Sequence, residues 1–113
     1  MGTAAATRIK VARFEDLVEG DVIAVDLGDR ELALYRVDAA VYATENMCTH
    51  GAARLCDGFL EGYGIECPLH QGVFDIRSGA ATRRPAEIAL ATYPVEILDG
   101  DVYVIVAARD DGS

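Results

Sequence analysis

Two short segments of the chain combine cysteine and histidine in the order that a mixed-ligand metal site requires. Cys48-Thr49-His50 places a cysteine two residues before a histidine, and Cys67-Pro68-Leu69-His70 places another three residues before the second histidine. Zinc fingers usually pair cysteine with cysteine and histidine with histidine within such motifs. Here each segment can give its thiolate to one metal and its imidazole to another. This order favours a [2Fe–2S] centre with two histidines on one iron; zinc on the same four side chains is the alternative.

The sequence around these ligands resembles the Rieske proteins. The runs Cys48-Thr49-His50-Gly51 and Cys67-Pro68-Leu69-His70-Gln71-Gly72 are similar to their two cluster-binding loops. The stretches 57–62, 65–67 and 74–75 are similar to the small Rieske ferredoxins of bacterial aromatic-ring dioxygenase systems, above all to the naphthalene dioxygenase type. The resemblance covers roughly residues 8–107.

The resemblance implies one [2Fe–2S] cluster per chain. Cys48 and Cys67 are then expected to hold the inner iron, and His50 and His70 the outer iron. A second group of residues is expected to surround the cluster and tune it, namely Gly51, Pro68, Leu69, Gln71, Gly72 and Phe74.

Chemical roles for this second group follow from residue type. Gly51 and Gly72 have no Cβ, which would let backbone N–H groups approach bridging sulfides. Pro68 lacks an N–H and stiffens the second loop. Leu69 and Phe74 are expected to shield the cluster.

Resemblance to the high-potential Rieske proteins is incomplete, and this predicts a low reduction potential. Those proteins carry a serine and a tyrosine where this chain has Gly72 and Phe74, and a disulfide where it has Ala53 and Leu69. Hydrogen bonds to cluster sulfurs raise the potential, so their absence favours the low end of the Rieske range of roughly −150 to +300 mV. Cys56 is left over and is interpreted as a small half-buried thiol.

Composition limits the remaining classes of function. The 113 residues carry 19 acidic and 10 basic side chains, a net charge of −9, which disfavours nucleic acid and anionic membranes as partners. No apolar run reaches the ~20 residues of a membrane span, and the N-terminus shows no secretory h-region. A cytoplasmic location fits a chain without a disulfide framework.

The pattern of the chain predicts an all-β fold. Short strands separated by turns favour stacked antiparallel sheets, and the Rieske fold implied by the resemblance adds a small cluster-binding subdomain. Strands are predicted over Ile9–Phe14, Asp21–Leu27, Glu31–Val37, Val41–Thr44, Phe59–Glu61, Ile65–Cys67, Val73–Ile76, Tyr93–Leu98 and Asp101–Ala107, and a loop over residues 80–89.

The predicted domain organisation is simple. One Rieske domain spans residues 8–107, its cluster-binding subdomain covers about residues 45–75, and residues 1–7 and 109–113 form flexible termini.

By resemblance, the chain is expected to be an electron carrier rather than an enzyme. Its donor would be an NADH-dependent flavoprotein ferredoxin reductase, and its acceptor the Rieske centre of a terminal aromatic-ring dioxygenase. A monomer would dock transiently with each partner through a tip formed by His50 and His70. A small Rieske subunit of an assimilatory reductase, such as the nitrite type, is the alternative.

Acidic residues outnumber basic ones near the predicted tip. In the sequence Arg54 is the one base among four carboxylates, Glu45, Asp57, Glu61 and Glu66. If these carboxylates surround the tip, they would steer encounters with basic partners and make electron transfer sensitive to salt. An apolar docking surface is the alternative.

Overall fold

The computed structural model describes residues 6–49, 52–69 and 71–107. Within these ranges the chain forms antiparallel strands and two 3₁₀ turns, at Phe14–Asp16 and Leu55–Asp57, which confirms the all-β prediction. The strands are β1 (Ala6–Arg13), β2 (Val22–Asp26), β3 (Glu31–Val37), β4 (Ala40–Glu45), β5 (Phe59–Glu61), β6 (Gly64–Glu66), β7 (Val73–Asp75), β8 (Ala81–Arg83), β9 (Thr92–Tyr93), β10 (Val95–Leu98) and β11 (Asp101–Ala107). Among the described residues, no helix is long and apolar enough to cross a membrane.

The strands are arranged in three sheets. The terminal sheet has the order β1-β11-β10, the middle sheet β2-β3-β4-β9, and the loop-bearing sheet β5-β6-β7-β8. Two apolar clusters join them, one between the terminal and middle sheets and one between the middle and loop-bearing sheets.

Strand β3 belongs to both apolar clusters. Leu32 and Leu34 pack in the cluster that contains the buried valines of β11, whereas Ala33 and Tyr35 pack in the cluster that contains Ile65 of the loop-bearing sheet. Successive side chains of a strand point to opposite faces, so an unbroken apolar run can fill two cores at once. The middle sheet therefore lies between the other two, as the predicted stacking requires.

The loop-bearing sheet has one buried face and one exposed face. Its pairing puts four cross-strand neighbours in a row on the inner face: Leu60, Ile65, Phe74 and Ala81. The adjacent row consists of Phe59, Glu66, Val73 and Arg83 and faces outward. Because Phe59 is 71% exposed while Ile65 is fully buried, the two faces are clearly distinguished.

The loop prediction for residues 80–89 was wrong in its first part. Residues Ala81–Arg83 form β8, an edge strand that pairs with β7. A three-residue edge strand has only one neighbour, and its exposed polar side chains give no clear alternation. Sequence periodicity therefore does not reveal it.

The predicted strand Tyr93–Leu98 is divided in two at Pro94. Tyr93 pairs with β4 in the middle sheet, whereas Val95 pairs with β11 in the terminal sheet. Proline cannot donate a ladder hydrogen bond, and here it marks the point at which the chain changes sheets. Its carbonyl still accepts a hydrogen bond from the Ile105 N–H at 3.0 Å.

Two smaller expectations also differ. The hairpin of β5 and β6 turns over Gly62 and Tyr63 alone, with Gly62 at φ +60°, so β6 begins one residue earlier than predicted. Ala6 and Thr7, expected in a flexible terminus, pair with the end of β11. The predicted flexible segment 109–113 lies outside the described residues.

The two faces of the loop-bearing sheet give a stability prediction. Ile65→Ala should lower the free energy of unfolding by about 2–5 kcal/mol, because it leaves a cavity beside the cysteines. Phe59→Ala, in the same sheet but 71% exposed, should cost at most about 0.5 kcal/mol. Guanidinium unfolding followed by circular dichroism measures both, and equal losses would contradict the assignment of faces.

Candidate metal centre

The two predicted ligand loops are closed by the same backbone hydrogen bond. The Cys48 N–H donates to the Ala53 carbonyl at 2.8 Å, and the Cys67 N–H donates to the Gly72 carbonyl at 2.8 Å. In both loops the acceptor lies five residues after the cysteine. The two cysteines therefore occupy equivalent places at the ends of two equivalent hairpins.

The residue pairs below the loops extend this equivalence. Met47 forms a bridge with Arg54 under the first loop, and Glu66 pairs with Val73 under the second. Each cysteine thus directly follows a residue that pairs across its hairpin, an isolated bridge in the first hairpin and a strand pair in the second. Since a strand fixes the direction and depth of the next residue, the ladder sets the position of each thiol.

Both cysteine side chains are buried in the same apolar cluster. Cys48 is 3% exposed and Cys67 is 2% exposed, and both pack in the cluster of Tyr35 and Phe74. Two thiolates in such surroundings would need a metal to compensate their charge. This part of the donor set therefore fits an iron bound by two cysteines. His50, Gly51 and His70 lie outside the described residues.

The segment after β8 contacts both ligand hairpins. A Cβ on Gly72 would lie 2.8 Å from the Cβ of Ala86, so the absence of a side chain lets this segment pack on the second hairpin. Thr49 donates a hydrogen bond to the Ile88 carbonyl at 2.6 Å, which attaches the same segment to the first hairpin. Gly72 therefore has a packing role that the sequence did not predict.

The first hairpin is held at its base by buried Asn46. The Asn46 carbonyl accepts from the Leu55 N–H at 2.7 Å, and its side-chain oxygen accepts from the Cys56 N–H at 2.9 Å. Its amide donates to Glu31 at 3.0 Å, and Arg54 forms a two-point ion pair with the same Glu31 carboxylate at 2.7 and 3.1 Å. Hydrogen bonds from Arg54 and Asn46 lower the pKa of Glu31. Asn46 and the ion pair of Arg54 with Glu31 support the hairpin that bears Cys48, and the cysteine and histidine motifs did not predict this support.

The second hairpin is held by Arg83, which the sequence analysis did not single out. The Arg83 guanidinium donates to the Gln71 carbonyl from Nε at 3.1 Å and from Nη2 at 2.9 Å. Its Nη2 also lies 3.5 Å from the Glu66 carboxylate. Arg83 lies twelve residues beyond Gln71 in the sequence, and the pairing of β8 with Val73 brings the two together. The contact could have been predicted from the sequence only if β8 had been predicted.

Three of the four carboxylates near the cysteines in sequence either have a hydrogen-bonding or charged partner or lie away from Cys67. Glu61 lies at the turn of β5 and β6, the end of these strands away from Cys67. Glu66 faces Arg83, and Glu45 accepts a hydrogen bond from the Tyr93 hydroxyl. The local charge is therefore more balanced than the sequence indicates.

Exposed apolar side chains lie on or beside both hairpins. Met47 is 54% exposed, Leu69 is 44% exposed, and Ile88, next to Thr49, is 67% exposed. Leu69, expected to shield the cluster, thus faces solvent over nearly half of its surface. Pro68 is exposed as well, whereas Phe74 is fully buried and packs in the same cluster as both cysteines.

Comparison with known proteins agrees with the predicted iron–sulfur chemistry. The family model for the Rieske [2Fe-2S] domain matches residues 7–94. The chain is 54% identical over 89 residues to the ferredoxin component of the naphthalene 1,2-dioxygenase/salicylate 5-hydroxylase systems of Ralstonia sp, covering 79% of this chain and 86% of that protein. It is 52% identical, with the same coverage, to the naphthalene 1,2-dioxygenase ferredoxin component of Pseudomonas putida.

Solved structures show the same relationship. A chain in the complex of reduced oxygenase and oxidized ferredoxin in carbazole 1,9a-dioxygenase superposes with a TM-score of 0.85 at 38% identity, covering 92% of this chain and 97% of that chain. The Sphingomonas yanoikuyae B1 ferredoxin superposes with a TM-score of 0.82 at 40% identity, covering 91% and 100% of the two chains.

Phe74→Tyr is expected to raise the reduction potential of the [2Fe–2S] cluster. The ring is buried with both cysteines, so a new hydroxyl at its end that reaches a sulfur would stabilise the reduced state. One hydrogen bond of ~1 kcal/mol corresponds to about 40 mV for one electron. Protein-film voltammetry measures the shift, and an unchanged potential with the cluster intact would argue against missing hydroxyls as the cause of a low potential.

Gly72→Ser serves as the contrasting variant. Resemblance alone predicts a raised potential, but the added Cβ would meet Ala86 at 2.8 Å. We therefore expect this variant to disturb the second hairpin and to lose the cluster more readily than Phe74→Tyr. The rates at which the visible absorption of the two variants fades measure this difference.

Proposed function

Because the chain belongs to the Rieske [2Fe-2S] domain family, we propose that it is a one-electron carrier that delivers electrons to the Rieske centre of a terminal aromatic-ring dioxygenase. The observation that carries this proposal is that two equivalent hairpins each bear a buried cysteine, and that both cysteines belong to the same apolar cluster. The ferredoxin components that are 52% and 54% identical support the dioxygenase assignment. They also support electron transfer, rather than catalysis, as the role of the chain.

In this proposal four side chains bind the cluster. Cys48 and Cys67, both buried, would hold the inner iron, and His50 and His70 would hold the outer iron. When bound, the cluster supplies a site that accepts and releases one electron. Burial of both thiols would keep water from an iron bound there, and the backbone bonds that close the hairpins hold the two cysteines in place.

The proposal includes the organisation of the chain. A single domain spans residues 8–107, and its cluster-binding subdomain was predicted at about residues 45–75. The pairing of β8 with β7 supports extending that subdomain to Arg83. The cell compartment proposed for this domain is the cytoplasm.

A carrier of this type exchanges its electron with two partners in turn. We propose an NADH-dependent flavoprotein ferredoxin reductase as donor and the terminal oxygenase as acceptor, each binding a monomer transiently at the tip of the two hairpins. The exposed apolar side chains on or beside the hairpins support an apolar contact there. The ion pairs of Glu66 with Arg83 and of Arg54 with Glu31 argue against a purely acidic docking surface.

Metal analysis tests the cofactor and its ligands. The purified chain, made with ample iron, should contain about two iron and two sulfide ions and show an electron paramagnetic resonance signal only after reduction. Cys48→Ser and Cys67→Ser should each lose the cluster, since each removes one thiolate ligand.

Cys56→Ser is the matched control. Cys56 belongs to the base of the first hairpin, where its N–H binds Asn46, and its thiol is not among the proposed ligands. This variant should retain iron, sulfide and the resonance signal. One zinc and no sulfide in the unaltered chain, or loss of the cluster from Cys56→Ser alone, would contradict the proposed ligand set.

Leu69→Ser tests the docking surface. Leu69 lies between two proposed ligands and is 44% exposed, so a polar replacement should slow reduction by the reductase and oxidation by the oxygenase several-fold. Val18→Ser should leave both rates unchanged. Val18 is 64% exposed and lies beside the end of β3 that is remote from Asn46. Stopped-flow absorbance measures the rates, and equal behaviour of the two variants would remove Leu69 from the docking surface.

A further inference from the structure

We propose that Arg83 is a positioning residue for the cluster, which clamps the backbone beside His70 and raises the reduction potential of the [2Fe–2S] centre. The inference rests on the proposed function, because it assumes a cluster held partly by the second hairpin. It adds a residue that lies outside both ligand motifs.

The clamp acts on a residue in an unusual backbone conformation. Gln71 directly follows His70 and has φ +65°, a left-handed conformation that is uncommon for residues other than glycine. Its N–H donates to the Cys67 carbonyl at 3.0 Å, and its own carbonyl accepts both guanidinium bonds from Arg83. The planar guanidinium offers two donors in fixed geometry. Arg83 therefore stabilises the backbone conformation of Gln71, the residue that follows His70 in the sequence.

The same contact brings a positive charge to the second hairpin. The reduced cluster carries one more negative charge than the oxidised cluster, so a nearby cation favours reduction. Glu66 lies 3.5 Å from Arg83 and directly precedes Cys67, and it acts in the opposite direction. The two side chains are 57% and 30% exposed, so solvent and salt weaken both effects without removing them.

Arg77, in the turn that follows β7 of the same sheet, provides a matched control. It is 51% exposed, similar to Arg83, and it also forms a two-point contact, with the Asp75 carboxylate at 2.9 and 3.1 Å. Its guanidinium stacks over Tyr63 in the turn of β5 and β6, at the other end of the sheet from the cysteines. Arg77→Gln thus removes the same charge at a place remote from the cluster.

Redox titration of the cluster-loaded full chain at low ionic strength tests the charge. Arg83→Gln should lower the potential by an amount equivalent to about a threefold change in the electron-exchange equilibrium constant, or about 28 mV at 59 mV per tenfold. Glu66→Gln should raise it, Arg83→Lys should keep most of the unaltered value, and Arg77→Gln should change nothing.

The rate at which an iron chelator removes the cluster tests the clamp. Arg83→Gln and Arg83→Lys should both lose iron several-fold faster than the unaltered chain, since neither can make the two-point contact with Gln71, while Arg77→Gln should not. If Arg83→Gln loses its cluster during purification, that loss supports the clamp. The potential of Glu66→Gln then tests the electrostatic role.

The outcomes separate this inference from the proposed function. Absence of a cluster from the unaltered chain would refute the function. A normal cluster whose potential is unchanged in Glu66→Gln, or equally low in Arg83→Lys and Arg83→Gln, would overturn the electrostatic role. Chelation rates in both Arg83 variants that equal the unaltered rate would overturn the clamp.

Discussion

Two cysteines nineteen positions apart in the sequence lie buried in one apolar cluster, and the rest of the structure is organised around this packing. The cysteines lie on two hairpins of identical closure, in which each cysteine N–H binds the carbonyl five residues later. A one-residue slip in a strand would turn the side chains to the opposite face. The pairs Met47–Arg54 and Glu66–Val73 therefore set the face to which each of the two cysteines points.

The hairpins depend in turn on the middle sheet. Strand β3 supplies Ala33 and Tyr35 to the cluster that contains both cysteines, and Leu32 and Leu34 to the cluster shared with the terminal sheet. The site is thus built against a strand that is buried on both faces. A domain of this size has little apolar surface to bury. A strand shared between two cores buries its side chains on both faces.

Each hairpin is also held by one arginine from outside its cysteine motif. Arg54 binds Glu31 of β3 under the first hairpin, and Arg83 of β8 binds the Gln71 carbonyl in the second. These contacts leave the surface near the cysteines with paired charges despite a net charge of −9. Exposed apolar residues such as Leu69 then become the more distinctive feature of the tip.

The sequence by itself determined the chemistry and most of the fold. The order of cysteine and histidine predicts a mixed-ligand cluster because donor type and spacing are local properties. Strands such as Glu31–Val37 and Asp101–Ala107 follow from their apolar pattern with the predicted bounds. The tertiary structure decided what depends on distant residues. Strand β8 was missed because a three-residue edge strand carries no periodic signal. The placement of Arg83 beside Gln71 was missed for the same reason, because it depends on β8. The packing role of Gly72 was hidden for the same reason, since Ala86 reaches it only after the chain has returned along β8.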